Sequence, residues 1–361
     1  MTAAITVDAL RRYAVSRSLF PSGDLTTAVQ QLGYLQADPI RAPARAQDLI
    51  LRHRVADYRV DDLERNYAEL PLFEDSIYNY GFFHQDTMAL LHPRNASQRL
   101  QTFMAAHAPL RREVLQYLKT HVETHPRELE VALAAGRRTN GWGGSSSATT
   151  LILEGLHREG RVSVCRRESG IRVYAPLKKT ARAVSPTARA DGLIRLMVNL
   201  YAPSPLNMML RLVKVMGACR SGADYVQRFE LMVKRGEFRI EKIDHVRYVW
   251  PAAEPMDVAS IDTVRLLAPF DPVVWDRQRF EHLWGWAYRF EAYTPAAKRK
   301  LGYYALPMLW QDRVIGWANV LPGAGIEVGF AQKKPGGAEG KIFKRELDLE
   351  VDRLRVFLQT R

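Results

Sequence analysis

Apolar residues along this chain recur at two periods, three to four residues apart in some stretches and two apart in others. Their alternation predicts an α+β fold that is mostly helical. Leu25, Ala28, Val29 and Leu32 share one helical face behind Asp24, a good N-cap, and ahead of Gly33, so residues 24–32 read as a short amphipathic helix. A helix over residues 7–16 precedes it and Tyr34-Leu35-Gln36 reads as a short strand, which gives a helix-turn-helix-like start. Further on, residues 126–135 and 148–158 read as helices around a Gly/Ser turn at 141–147. Between Gly160 and Pro176, Val162 and Val164 alternate with polar residues, Glu168-Ser169-Gly170 turns the chain, and Ile171 and Val173 continue. Helix, helix and hairpin in that order predict a winged helix.

A looser copy follows. Residues 223–235 read as helix, and residues 236–251 alternate again through Phe238, Ile240, Val246, Tyr248 and Trp250. Both segments start on Gly, end on an Arg–aromatic stretch and close on Pro, an internal repeat that predicts tandem winged helix-turn-helix units. Beyond Pro255, residues 266–275, 303–310 and 314–320 read as strands, 322–340 as a Gly-rich mobile hairpin or loop, and 340–358 as a final helix, a C-terminal β-rich region. The expected domains are 1–122, 123–185, 186–254 and 255–361.

Composition narrows the partner. Fifty-two Lys and Arg against 39 Asp and Glu give a net charge of +13, which suits a polyanion such as nucleic acid. Residues 158–182 concentrate this excess: Arg158, Arg161, Arg166, Arg167, Arg172, Lys178, Lys179 and Arg182 stand against Glu159 and Glu168. A wing so charged would contact phosphates, against the plainer reading of a solvated face. Two cysteines are too few for a disulfide framework, and no apolar run reaches roughly 18 residues, so an unexported protein without a membrane anchor is expected.

The densest chemistry is Gln36-Ala37-Asp38, followed by Pro39 and by the closely spaced Arg41 and Arg45. Pro39 disfavours helical geometry at Asp38, and in an extended segment residues 36 and 38 face the same way. An amide and a carboxylate would then converge beside cations able to hold phosphates. The plainer alternative is Asp38 as an N-cap with proline at the first helical position, which leaves Gln36 unexplained. His121 and His125 do not form the HExxH arrangement, and Tyr78, Tyr80, Phe82 and Phe83 fit a core as well as a stacking platform. With no third ligand evident beside these histidines no metal is expected, and with no P-loop, dinucleotide fingerprint or nucleophile elbow no nucleotide cofactor is expected either.

Residues 35–55 (LQADPIRAPARAQDLILRHRV), the central helix–helix–hairpin unit and residues 266–307 together resemble the bacterial winged-helix DNA glycosylases of the AlkZ and YcaQ type. In that family the catalytic motif is Gln-apolar-Gln or Gln-apolar-Asp, and Gln36-Ala37-Asp38 is similar to the second, YcaQ-like form. The resemblance implies Gln36 and Asp38 as catalytic residues of a monofunctional DNA glycosylase that hydrolyses the N-glycosidic bond of alkylated purines and unhooks interstrand crosslinks. It departs from the YcaQ-like pattern at residues 79–84 and 316–319. Double-stranded DNA is the expected partner, with Arg41, Arg45, Arg161, Arg166, Arg167, Arg172, Lys178 and Lys179 as DNA-binding residues of a cytoplasmic, nucleoid-associated monomer. The rival is a non-enzymatic winged-helix regulator, which would need a recognition helix and a symmetric dimer.

Overall fold

The computed structural model describes residues 5–21, 23–134, 136–139, 145–177, 184–256, 258–321 and 325–359. The chain forms two compact units, each assembled from separate stretches: Met1–Asp62, Arg195–Leu212 and Phe229–Arg361 in one, Leu63–Ile194 and Val213–Arg228 in the other. Helices and small antiparallel sheets make up both, a mixed α+β architecture.

In the first unit, helix Val7–Ser18 is capped by Thr6, and helix Leu25–Leu32 runs from the Asp24 cap to Gly33, whose φ of 73° a side chain would strain. The Leu35–Gln36 strand follows at once. Later segments supply two sheets. Strands Ser204–Pro205, Val246–Pro251 and Phe238–Ile243 form one, in that spatial order; Val264–Leu266, Leu306–Trp310, Arg313–Val320 and Ile326–Phe330 form the other. The core joins Leu10, Tyr13 and Ala14 of the first helix to Trp250, Phe280, Trp284, Tyr288 and Val314.

One expectation for this unit is corrected and another is narrowed to one of its alternatives. The strand expected over 266–275 ends at Leu266, because Pro269 and Pro272 lack the N–H that a ladder needs and Asp271 turns the chain through its bond to the Val273 N–H at 3.0 Å. Within residues 322–340, read as a hairpin or loop, the structure takes the hairpin alternative in part: strand Ile326–Phe330 pairs antiparallel with Arg313–Val320, and the last residues already belong to helix Gly337–Leu358.

That proline-rich turn is anchored by a salt bridge. Arg54 Nη1 donates to Asp271 Oδ2 at 2.8 Å with both side chains fully buried, and its remaining donors reach the Ser18 and Ile50 carbonyls. The helix Ala46–Leu51, just before Arg54, is buried along its whole length.

The second unit holds helix Pro126–Leu133, helix Ala148–Arg158 and the hairpin Val162–Glu168 with Ile171–Pro176, in the order that periodicity predicts. Ser169 and Gly170 close that hairpin with φ of 49° and 82°, the left-handed pair that a tight two-residue turn requires. Beside it lies the hairpin Leu72–Ser76 with Tyr80–His84, whose Phe82 and Phe83 are core residues. Asp75 on this hairpin is buried, which alone would raise its pKa, but the His92 ring at 2.5 Å and Arg94 at 2.6 Å hold it down at about 2.

Replacing Arg54 by Ala leaves Asp271 buried without its partner, a change that typically costs about 3–5 kcal/mol. Urea unfolding should show a midpoint lowered to match; an unchanged midpoint would mean that the ion pair does not hold the turn.

Candidate functional site

Gln36 ends its short strand and is buried. Trp275 Nε1 donates a hydrogen bond to Gln36 Oε1 at 3.0 Å, and Trp275 is stacked on Tyr201 with ring centroids 4.7 Å apart. The indole therefore fixes which way the amide points, with its oxygen facing Trp275. Gln36 also lines a small cavity with Tyr34, Ile50, Tyr201, Phe270 and Pro272.

Asp38 lies two residues on, half-buried, in a stretch that is neither helix nor strand. It caps no helix; the next one starts at Ala46. Its Oδ1 instead accepts the Ile40 N–H at 2.9 Å, a local turn that Pro39 favours, while the Asp38 N–H donates to Gln47 Oε1 at 3.3 Å. Burial raises the Asp38 pKa above its ordinary 3.8, and the Ile40 N–H offsets this only in part. Burial first, and the Asp38 charge second, also raise the pKa of the Tyr293 and Tyr304 phenols. Asp38 is thus a carboxylate in partly desolvated surroundings, with aromatic hydroxyls within electrostatic reach. Such a group can stabilise a developing cation or accept a proton from water.

Next to Gln47, Asp48 is buried and receives the Tyr58 hydroxyl at 2.6 Å. Burial pushes it up to about 6. Neither the Trp275 clamp nor the buried Asp48–Tyr58 pair has a signal in the sequence. Tyr58 is ten residues from Asp48 and Trp275 is 239 from Gln36, and no local pattern joins either pair.

The cations fall into different settings. Arg41 is exposed, 3.9 Å from Asp61, and Arg45 is the half-buried residue preceding helix Ala46–Leu51. In the second unit Arg161 is exposed at the foot of the hairpin, and Arg166, 40% exposed, pairs with the surface acids Glu123 and Glu168. Arg167 and Arg172 have a structural task that the charge pattern did not disclose. Arg167 is only 11% exposed and binds the fully buried Glu74 through two nitrogens, while Arg172 lies 3.8 Å from the same carboxylate and 4.1 Å over the Tyr80 ring. Tyr80 donates to Glu74 at 2.7 Å. Burial alone would raise the Glu74 pKa, but the two arginines and Tyr80 bring it below its usual range. Lys178 and Lys179 lie outside the described residues.

His121 stacks on Tyr117 and bonds to its carbonyl, and His125 caps helix Pro126–Leu133. Among the described residues no group of three or more His, Cys, Asp or Glu could hold a metal ion, and no helix is long and apolar enough to cross a membrane.

A protein-family model described as DNA glycosylase AlkZ-like matches residues 29–357. Among solved structures, the Streptomyces sahachiroi DNA glycosylase AlkZ matches 99% of this chain and 97% of its own with a TM-score of 0.67. The two chains are 14% identical, so this second likeness concerns the fold alone.

Arg166 and Arg167 are neighbours in sequence, yet their replacement by Ala should differ sharply. Arg167→Ala leaves the buried Glu74 charge with only the more distant Arg172 and the Tyr80 hydroxyl and should lower stability towards the lower end of about 3–5 kcal/mol, whereas Arg166→Ala removes only surface pairs and should stay within about 1 kcal/mol. Thermal or urea unfolding of the two variants checks this; equal losses would remove the distinction.

Proposed function

The chain belongs to the AlkZ-like family of DNA glycosylases and is therefore a DNA glycosylase, and on that premise we propose that Gln36 and Asp38 form its catalytic pair, in a Gln-apolar-Asp motif. The substrate is double-stranded DNA carrying alkylated or crosslinked purines, and the enzyme is a monofunctional N-glycosyl hydrolase.

The observation that carries this reading is the contrast between the two side chains. Gln36 is held in one orientation by Trp275, while Asp38 is half-exposed and only partly desolvated. A purine alkylated on a ring nitrogen is already cationic and departs without a strong acid to protonate it. The remaining barrier is the build-up of oxocarbenium character on the sugar and delivery of a water to its anomeric carbon. The Asp38 carboxylate opposes that positive charge and takes a proton from the water; the Gln36 amide orients the water. The electrons of the C1′–N bond leave with the purine, and the water oxygen closes the new bond at C1′. A lesion tethered to the opposite strand cannot rotate freely out of the duplex, so a site that reaches the sugar without enclosing the base suits crosslinks.

Affinity comes mainly from phosphates. The exposed or half-exposed Arg41, Arg45, Arg161 and Arg166 are the proposed contacts, with Lys178 and Lys179 on the same charged stretch. We assign Arg167 and Arg172 an indirect part, which is to neutralise Glu74 and keep the hairpin in shape. The helix–helix–hairpin unit acts in this reading as a winged helix.

Asp38→Asn should abolish most base release from duplex DNA containing N7-methylguanine while DNA binding stays close to that of the parent. An asparagine Oδ1 can still accept the Ile40 N–H, so the local turn survives. Unchanged release of base, read as alkali-labile sites, would make the carboxylate structural. Gln36→Ala should slow hydrolysis by a smaller factor, and rates equal to the parent would exclude the water-orienting role. Arg166→Ala should reduce the slope of log affinity against log salt by roughly 0.9 for every duplex tested. A loss confined to particular sequences would favour base reading instead.

A further inference from the structure

Between Arg289 and Tyr303 the chain makes a loop whose shape is fixed from inside. Glu291 is buried and its Oε2 accepts the Lys300 and Leu301 N–H groups at 2.8 and 2.7 Å, closing the loop at its base. The Thr294 N–H returns to the Glu291 carbonyl at 2.9 Å, and Arg299 Nε donates to the Thr294 carbonyl at 2.8 Å. Asn319 Nδ2 ties the Leu301 carbonyl to the neighbouring strand at 2.7 Å. Gly302 is required there, since its φ is 118° and a Cβ would come within 2.5 Å of Asn319 Oδ1. Hydrogen bonds to a buried carboxylate are stronger than neutral ones, so the loop is ordered before any partner arrives.

This rigid loop presents Tyr293 to solvent, 78% exposed. Its ring is supported on one side by Phe290, edge-on at 6.0 Å, and Phe290 in turn packs edge-on against Tyr304 at 5.0 Å and Phe270 at 5.2 Å. Phe270 lines the same cavity as Gln36, and both Tyr293 and Tyr304 feel the Asp38 charge. A lone exposed tyrosine is ordinary. A ring held outward on a pinned loop beside the motif is a different matter, and so is its setting. Arg289, Lys298 and Lys300 are exposed, Arg299 lies 4.9 Å over the Tyr303 ring, and the one acid from 289 to 303, Glu291, is turned inward.

An aromatic face among outward cations fits a nucleic acid base between phosphates. We propose that Tyr293 stacks on a DNA base adjoining the lesion, with Lys298 and Lys300 on the flanking phosphates, so that the loop holds the damaged nucleotide's sugar against the motif. The assignment rests on the reading of Asp38 as the catalytic carboxylate and adds to it a residue that fixes where on the duplex that carboxylate acts. Stacking needs the ring and not its hydroxyl, and it tolerates any base.

The test uses the full chain with a duplex containing a tetrahydrofuran abasic analogue next to 2-aminopurine, whose fluorescence is dimmed when an aromatic ring stacks on it. The parent, Tyr293→Phe and Tyr293→Trp should quench the probe, whereas Tyr293→Ala should not and should bind about 10-fold more weakly. Tyr293→Ala should also lower kcat/KM for release of N7-methylguanine by a similar factor. Its thermal unfolding should match the parent because the side chain is exposed. No quenching by the parent, or equal quenching and affinity in Tyr293→Ala, overturns the proposal. Asp38→Asn separates the two claims: it should quench as the parent does while losing base release. If it instead retains base release, the catalytic reading fails, whatever Tyr293 does to the probe.

Discussion

The buried ion pair between Arg54 and Asp271 is the constraint on which the rest of the site depends. Two fully desolvated charges are stable only when each meets the other with good geometry and the spare donors find acceptors. Here the spare donors reach the carbonyls of Ser18 and Ile50, so one guanidinium joins the first helix, the helix that follows the Gln-Ala-Asp motif, and the turn at residues 270–272. Asp271 also takes the Val273 N–H on its carboxylate and the Trp275 N–H on its carbonyl, which sets where the indole of Trp275 begins. From there the path is short: indole to Gln36, and Gln36 to Asp38 two residues on. The proposed catalytic pair sits on a non-helical stretch, and residues more than two hundred positions away hold it in place.

A second buried charge cluster does comparable work in the other unit, with a different outcome for function. Glu74 draws in Arg167 and Arg172, so the apparent cationic strength of residues 158–182 overstates what faces solvent. Sequence charge counts every arginine equally. Burial decides which of them can meet a phosphate.

Much of the architecture can be read from local pattern because the responsible physics is local. Caps and stops such as Asp24 and Gly33, and the left-handed pair Ser169-Gly170, act over three or four residues, and the elements around them fall close to where periodicity puts them. The misreading and the open alternative have equally local causes. Apolar runs broken by Pro269 and Pro272 mimic a strand, and glycines around Ile326–Phe330 leave hairpin and loop equally open until pairing with Arg313–Val320 makes a strand. Clustering into two units built from non-adjacent stretches has no local signature. Gln36 and Asp38 stood out as residue types at a telling spacing. Their environment did not: the Trp275 clamp, the buried Asp48 and the loop carrying Tyr293 all arise from contacts distant in sequence, or from burial that composition does not reveal.

The central claim is that Asp38 acts as a carboxylate whose surroundings favour its neutral form. Burial places its pKa above 3.8, so the reactive, ionised fraction falls as pH drops through that raised value. Single-turnover base release from N7-methylguanine DNA, measured against pH with spontaneous loss subtracted, should show an acid limb centred above 3.8. The limb should persist in Asp48→Asn, which removes the other raised carboxyl, at about 6. A rate that stays flat to below 3.8 while the protein remains folded, or a limb that vanishes with Asp48, would contradict the account.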